Sequence, residues 1–156
     1  MKFVIALLLT AVLILTGCPS SKTRKAAEVS YQFSGLVLDL AKAADKAYEA
    51  GALTVPQKDS VVSTVRKMNE GAKAFNAIVT ELANQPEVPP DKLATLNLIL
   101  SAQIIDPFLD LISKLGVAIN VEQIKIAVAS VRVAILTISN ALGEYTAVDT
   151  RRLQDA

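Results

Sequence analysis

The spacing of apolar residues constrains the fold of this chain more than any other feature of its sequence. In the segment 55–84, apolar side chains recur at alternating intervals of four and three residues: Val61, Val65, Met68, Ala72, Phe75, Val79 and Leu82. The segment 120–146 repeats the pattern with Ile124, Val128, Val131, Ile135, Ile138, Leu142 and Tyr145. Such spacing places one apolar stripe along an α-helix. A strand is the competing interpretation of the second, Val/Ile-rich segment, but no alternation of period two is sustained there.

Two further segments, 23–50 and 90–115, carry related stripes. The stripe of the first consists of Val29, Phe33, Leu36, Leu40, Ala43 and Ala47, and that of the second consists of Leu93, Leu96, Leu100, Ile104, Pro107, Leu111 and Leu115. Short connections between long helices make neighbouring helices antiparallel. The sequence therefore predicts an all-α fold, an up-down-up-down four-helix bundle with helices over about 23–50, 55–84, 90–115 and 120–146.

The residues between these segments are typical of helix ends. Gly51 and Gly116 follow the first and third segments, as glycine commonly does after a helix. Thr54 with Gln57, and Asn120 with Gln123, have the spacing of a capping box. Prolines at positions 86, 89 and 90 cannot continue the second helix. Pro107 lies inside the third segment and is expected to kink or break that helix near residues 103–106.

The N-terminus has a different character. Lys2 precedes an apolar run from Phe3 to Leu15, interrupted only by Thr10. The run suits a signal peptide and is shorter than the ~20 residues that span a bilayer. An uncleaved anchor helix, or a cytosolic helix with a buried cysteine, remains the alternative.

The four residues Leu15-Thr16-Gly17-Cys18 resemble the lipobox of bacterial lipoproteins. The resemblance implies cleavage before Cys18 and a diacylglyceryl group on its thiol, with or without acylation of the new amino group. The protein would then be anchored in the bacterial cell envelope, facing away from the cytoplasm, with the inner and outer membranes both open. The expected division is a signal peptide over 1–17, the acylated cysteine and a tether over 18–22, the bundle over 23–146 and a polar C-terminal tail over 147–156.

Composition excludes several classes of function. The chain contains no histidine, and Cys18 is its only cysteine, so a Cys/His zinc site and His-dependent catalysis are excluded. Without residues 1–17 it holds 15 basic and 15 acidic residues, a balance that does not indicate a nucleic-acid partner. The pairs Asp45/Glu49 and Asp106/Asp110 lack the further oxygen ligands of a metal site and are expected to be surface charges. We therefore expect no cofactor, no metal and no enzymatic activity.

A second set of apolar residues lies away from the stripes of the third and fourth segments. It consists of Leu98, Ile105, Leu109, Ile112, Ile126 and Val133. We interpret these six residues as a candidate interaction surface for a protein partner, self-association or the membrane. The alternative is that the third helix is central and touches two neighbours.

Two functions follow from these features. The first is a lipid-anchored, non-enzymatic binding or scaffold module at a bacterial membrane surface. The second is a carrier of a hydrophobic small molecule, which would need a cavity of roughly 300 Å³ or more between the helices, lined by aliphatic side chains.

Overall fold

The computed structural model describes residues 19–83, 89–142 and 153. Its α-helices are α1 (Pro19–Glu49), α2 (Val55–Leu82), α3 (Pro90–Leu98), α4 (Asp106–Leu115) and α5 (Glu122–Leu142). A π-helical segment, Ile99–Ile105, joins α3 to α4 without a break, so that the three form one α3–α4 rod, and a 3₁₀ segment, Gly116–Asn120, precedes α5. The described residues contain no strand, which confirms the all-α prediction.

Contacts near the helix ends show how the helices run. The Lys58 ammonium, at the start of α2, lies 3.0 Å from the Asp45 carboxylate near the end of α1. Gln57 Nε2 donates to the carbonyl of Leu115, the last residue of α4, over 3.2 Å. α1 packs against both α2 and α5, and the α3–α4 rod packs against α2. These contacts confirm the predicted helical bundle.

Local residue chemistry sets several helix ends as predicted. Gly51 and Gly116 adopt positive φ angles of 74° and 52°, which glycine tolerates without strain. The Gln57 amide donates to Thr54 Oγ1 over 3.4 Å, and the Thr54 amide donates to Gln57 Oε1 over 3.0 Å, so that the first capping box is present. The second predicted capping box, Asn120 with Gln123, is wrong, because the 3₁₀ segment includes Asn120. α5 starts at Glu122, where Val121 accepts the first helical bond, from the Lys125 amide.

The other predicted boundaries differ in part from the structure. α1 begins at Pro19, so residues 19–22, expected to be a tether, are helical. Residue 84 and residues 143–146, expected to end the second and fourth helices, lie outside the described residues. Leu153, within the segment 147–156 that was expected to be a polar tail, is buried in the core. The rest of that segment lies outside the described residues.

The predicted stripes of α2 and α5 both belong to the core. All seven stripe residues of α2 are buried, as are the six described ones of α5, and Tyr145 lies outside the described residues. The buried face of α1 is rotated relative to the predicted stripe, since Val29, Leu36 and Ala43 are only half-buried. The buried face of α1 consists of Ala26, Ser30, Phe33, Val37, Leu40, Ala44 and Ala47. Because α1 has neighbours on two sides, its buried arc is centred between them, where several small side chains permit close approach.

Candidate interaction surface

The π-helical segment decides which face of the α3–α4 rod is buried. Pro107 has no amide hydrogen and would clash with a carbonyl four residues earlier in an α-helix. Instead, the Asp106 amide donates to the carbonyl of Ser101, five residues back. The predicted kink or break is thus a widened helical turn that ends two residues before Pro107.

Burial within the segment follows the same interval of five residues. Ile99 and Ile104 are both buried, as are Leu100 and Ile105. Ile105, predicted to belong to the interaction surface, is only 2% exposed and is a core residue. Its predicted position assumed about 100° per residue throughout, whereas the π segment turns less per residue and brings Ile105 inward.

The other five predicted surface residues divide into two groups. Leu98, Ile126 and Val133 are exposed, at 63%, 58% and 62%, and we call them the exposed apolar set. Leu109 and Ile112 are half-buried and pack against the core. The structure therefore leaves one exposed aliphatic side chain on α3 and two on α5 from the six predicted.

Charge is distributed unevenly among the helices. α5 carries three charged residues in 21, Glu122, Lys125 and Arg132, whereas α1 carries nine in 31. The stretches Pro90–Asn120 and Glu122–Leu142 are long and apolar enough to cross a membrane, by length and composition alone. Their most apolar windows are 39% and 44% buried in the fold, so each also contributes a face to the core.

A groove between α1 and α2 was not predicted from the sequence. It has a volume of about 680 Å³ and is lined mostly by polar or small residues: Ser30, Tyr31, Gln32, Ser34, Gly35, Leu38, Asn69, Ala72, Lys73 and Asn76. Tyr31 is 77% exposed on its wall. Ser30 Oγ lies 3.0 Å from both the Ala27 carbonyl and Asn76 Oδ1. The volume of the groove exceeds the roughly 300 Å³ expected for a carrier, but Leu38 is the only large aliphatic side chain in its lining.

Two of the four carboxylates that were considered as metal ligands form ion pairs. Asp45 pairs with Lys58, and Asp110 lies 2.7 Å from the Lys114 ammonium. The hydrogen bond to Asp45 raises the pKa of Lys58 above its usual 10.5, and the ammonium also lies 4.8 Å from the centre of the Tyr48 ring. This ion pair therefore contributes stability while Lys58 is protonated, and that contribution is lost as the pH rises through the raised pKa of Lys58. The part of the chain that the structure describes contains no cluster of three potential metal ligands.

No protein-family model, curated protein or solved structure matches this chain. Cys18, the predicted lipidation site, lies outside the described residues. The features from which a function can be argued are therefore the exposed apolar set, the charge distribution and the α1–α2 groove.

Proposed function

We propose that this protein is a lipid-anchored, non-enzymatic binding or scaffold module on the non-cytoplasmic side of a bacterial membrane. The observation that carries the proposal is the exposure of Leu98, Ile126 and Val133 on helices whose opposite faces fill the core. Each large aliphatic side chain left in water forgoes about 1.5–3 kcal/mol of burial. Contact with another molecule recovers that free energy.

The lipobox resemblance at residues 15–18 supports the anchoring part of the proposal. The chemistry of the groove supports the non-enzymatic part. Ser30, the buried hydroxyl at the groove, hydrogen-bonds with an amide side chain and a backbone carbonyl rather than with a general base. A binding surface needs no such base, and exposed aliphatic side chains suffice for it.

A triple substitution, Leu98→Gln, Ile126→Gln and Val133→Gln, tests the binding surface. Exposed positions tolerate substitution within about 0.5 kcal/mol each, so helicity and melting temperature should stay close to those of the unmodified protein. Chemical cross-linking of the membrane-anchored protein should show lost association with a protein partner, or quenching by nitroxide lipid should show lost contact with the bilayer. The single substitution Ile105→Gln is the matched control, because a buried amide without partners should unfold the bundle.

Two results would contradict the proposal. If the triple variant unfolds as the Ile105→Gln control does, the exposed apolar set is part of the core. If the triple variant folds and keeps every association of the unmodified protein, the set has no binding role.

A further inference from the structure

The outer face of α5 is apolar over its middle turns, from Ile126 to Leu136. At about 100° per residue, Ile126, Ala129, Val133 and Leu136 fall on the arc opposite the buried stripe of this helix. The exposed Glu122 and Asn140 lie on the same arc, towards the two ends of the helix. Ile126, Ala129 and Val133 are exposed, and Leu136 is half-buried. A surface helix of a water-soluble bundle normally presents charged side chains on this arc.

One edge of this outer face is basic. Lys125 and Arg132 are seven residues apart, so they lie two turns apart on the same edge. Lys125 is exposed, and Arg132 is half-buried with its Nε buried and without a hydrogen-bond partner among the described residues. Neither forms an ion pair with any described residue. Glu122, three residues before Lys125, is the only acidic residue of α5, so the outer face and its edge carry two positive charges and one negative charge.

The predicted anchor precedes the helix against which α5 packs. α5 packs directly against α1, and helix axes in such contacts are about 8–10 Å apart. α1 begins at Pro19, the residue after Cys18, and continues without interruption to Glu49. Acyl chains on Cys18 would therefore join the bilayer to the helix against which α5 packs.

We propose that the outer face of α5 lies on the bilayer surface. Ile126 and Val133 enter the boundary between headgroups and acyl chains, while Lys125 and Arg132 bind the phosphates of anionic lipids. Long basic side chains suit this position because their stems cover apolar surface and their charged ends reach the headgroups. This inference rests on the proposed anchoring through Cys18.

The charges of α5 favour a lipid surface over a second copy of the chain. A symmetric pair formed through this face would present the same residues on both sides. Each copy would bring Lys125 and Arg132 but only one α5 carboxylate, that of Glu122. An anionic membrane neutralises both cations. Crossing the bilayer is disfavoured because the opposite stripe of α5, including Ile124, Val128 and Ile135, belongs to the core.

A fluorescent probe on α5 tests the contact with lipid. Cys18 is the only cysteine, and its acylation consumes the thiol, so a second cysteine can be labelled alone. The substitution Ala129→Cys places an environment-sensitive dye on the outer face of α5, and Ala77→Cys, at an exposed alanine of α2, is the matched control. The acylated protein is reconstituted into vesicles of equal parts phosphatidylcholine and phosphatidylglycerol, and quenching by nitroxide lipid is compared with quenching by aqueous iodide.

We expect nitroxide lipid to quench the probe at position 129 several-fold more than the probe at position 77. Arg132→Gln should lower the ratio of lipid-contacting to free probe about fivefold, the change that corresponds to losing one basic residue near an anionic surface. Quenching by iodide equally at both positions would overturn the inference. Shielding of position 129 from both quenchers would also overturn it, because another protein surface would then cover α5.

Fatty-acid labelling of the same preparation separates the two proposals. If the protein is labelled at Cys18 but position 129 remains in water, only the lipid contact of α5 is wrong. If the protein is not labelled, the anchoring is wrong, and the inference that rests on it is overturned as well.

Discussion

Phe75 and Glu70 lie on the same helix in opposite environments. Phe75, one of the stripe residues of α2, is completely buried, whereas Glu70 is exposed. Phe75→Ala should lower the free energy of unfolding by about 3 kcal/mol, because it removes buried apolar surface and leaves a cavity. Ile135→Ala, at a buried position of α5, should cost a similar amount. Glu70→Ala should be nearly neutral.

Denaturant titration of the three variants measures these differences. Similar losses for Glu70→Ala and Phe75→Ala would show that the buried face of α2 is assigned wrongly. The sequence predicted the burial of Phe75, since a regular helix repeats its buried side at the interval at which the apolar residues recur.

Gly71, on α2, lies where the π segment packs against this helix. A Cβ atom at this position would lie 2.8 Å from Cβ and 3.1 Å from the carbonyl oxygen of Gln103, in the π segment. The widened turn can therefore lie against α2 only where a side chain is absent. Gly35, on α1, provides the comparison, because no atom lies within 4 Å of a Cβ added there.

The two glycines should respond to alanine in opposite directions. Gly35→Ala should stabilise the protein by up to about 1 kcal/mol, because alanine is the better helix former. Gly71→Ala should destabilise it by about 1–3 kcal/mol, because the helices must move apart to relieve the overlap. Thermal unfolding of both variants measures the contrast. Stabilisation by Gly71→Ala would mean that the close approach of the π segment to α2 is wrong.

At the scale of the whole molecule, the prediction concerns Cys18. Cys18→Ser removes the thiol that the thioether requires, so the variant should remain an unprocessed precursor that is poorly held in membranes. Metabolic labelling with a clickable fatty acid, followed by membrane fractionation, compares it with the unmodified protein. Equal labelling of the two proteins would show that the lipobox interpretation is wrong.

The sequence by itself determined the features that depend on neighbours in the chain. The stripes of α2 and α5 could be predicted because apolar spacing and helical geometry share one period. The end at Gly51 and the capping box at Thr54 depend on the backbone conformation and hydrogen bonds of a few consecutive residues. The position of the irregular helical turn before Pro107 was predictable for the same reason. Proline lacks the amide hydrogen that would bond to a carbonyl in the preceding turn.

Tertiary packing decided the features that depend on which elements meet. The irregular turn before Pro107 is a π segment. Its hydrogen bonds span five residues, and this spacing buries Ile105, which was predicted to lie on the surface. The buried face of α1 is centred between two neighbours that its own stripe does not identify, and the burial of Leu153 depends on the bundle that surrounds it. Local spacing sets the period of a buried face, but its direction and width are set by the surfaces that pack against it.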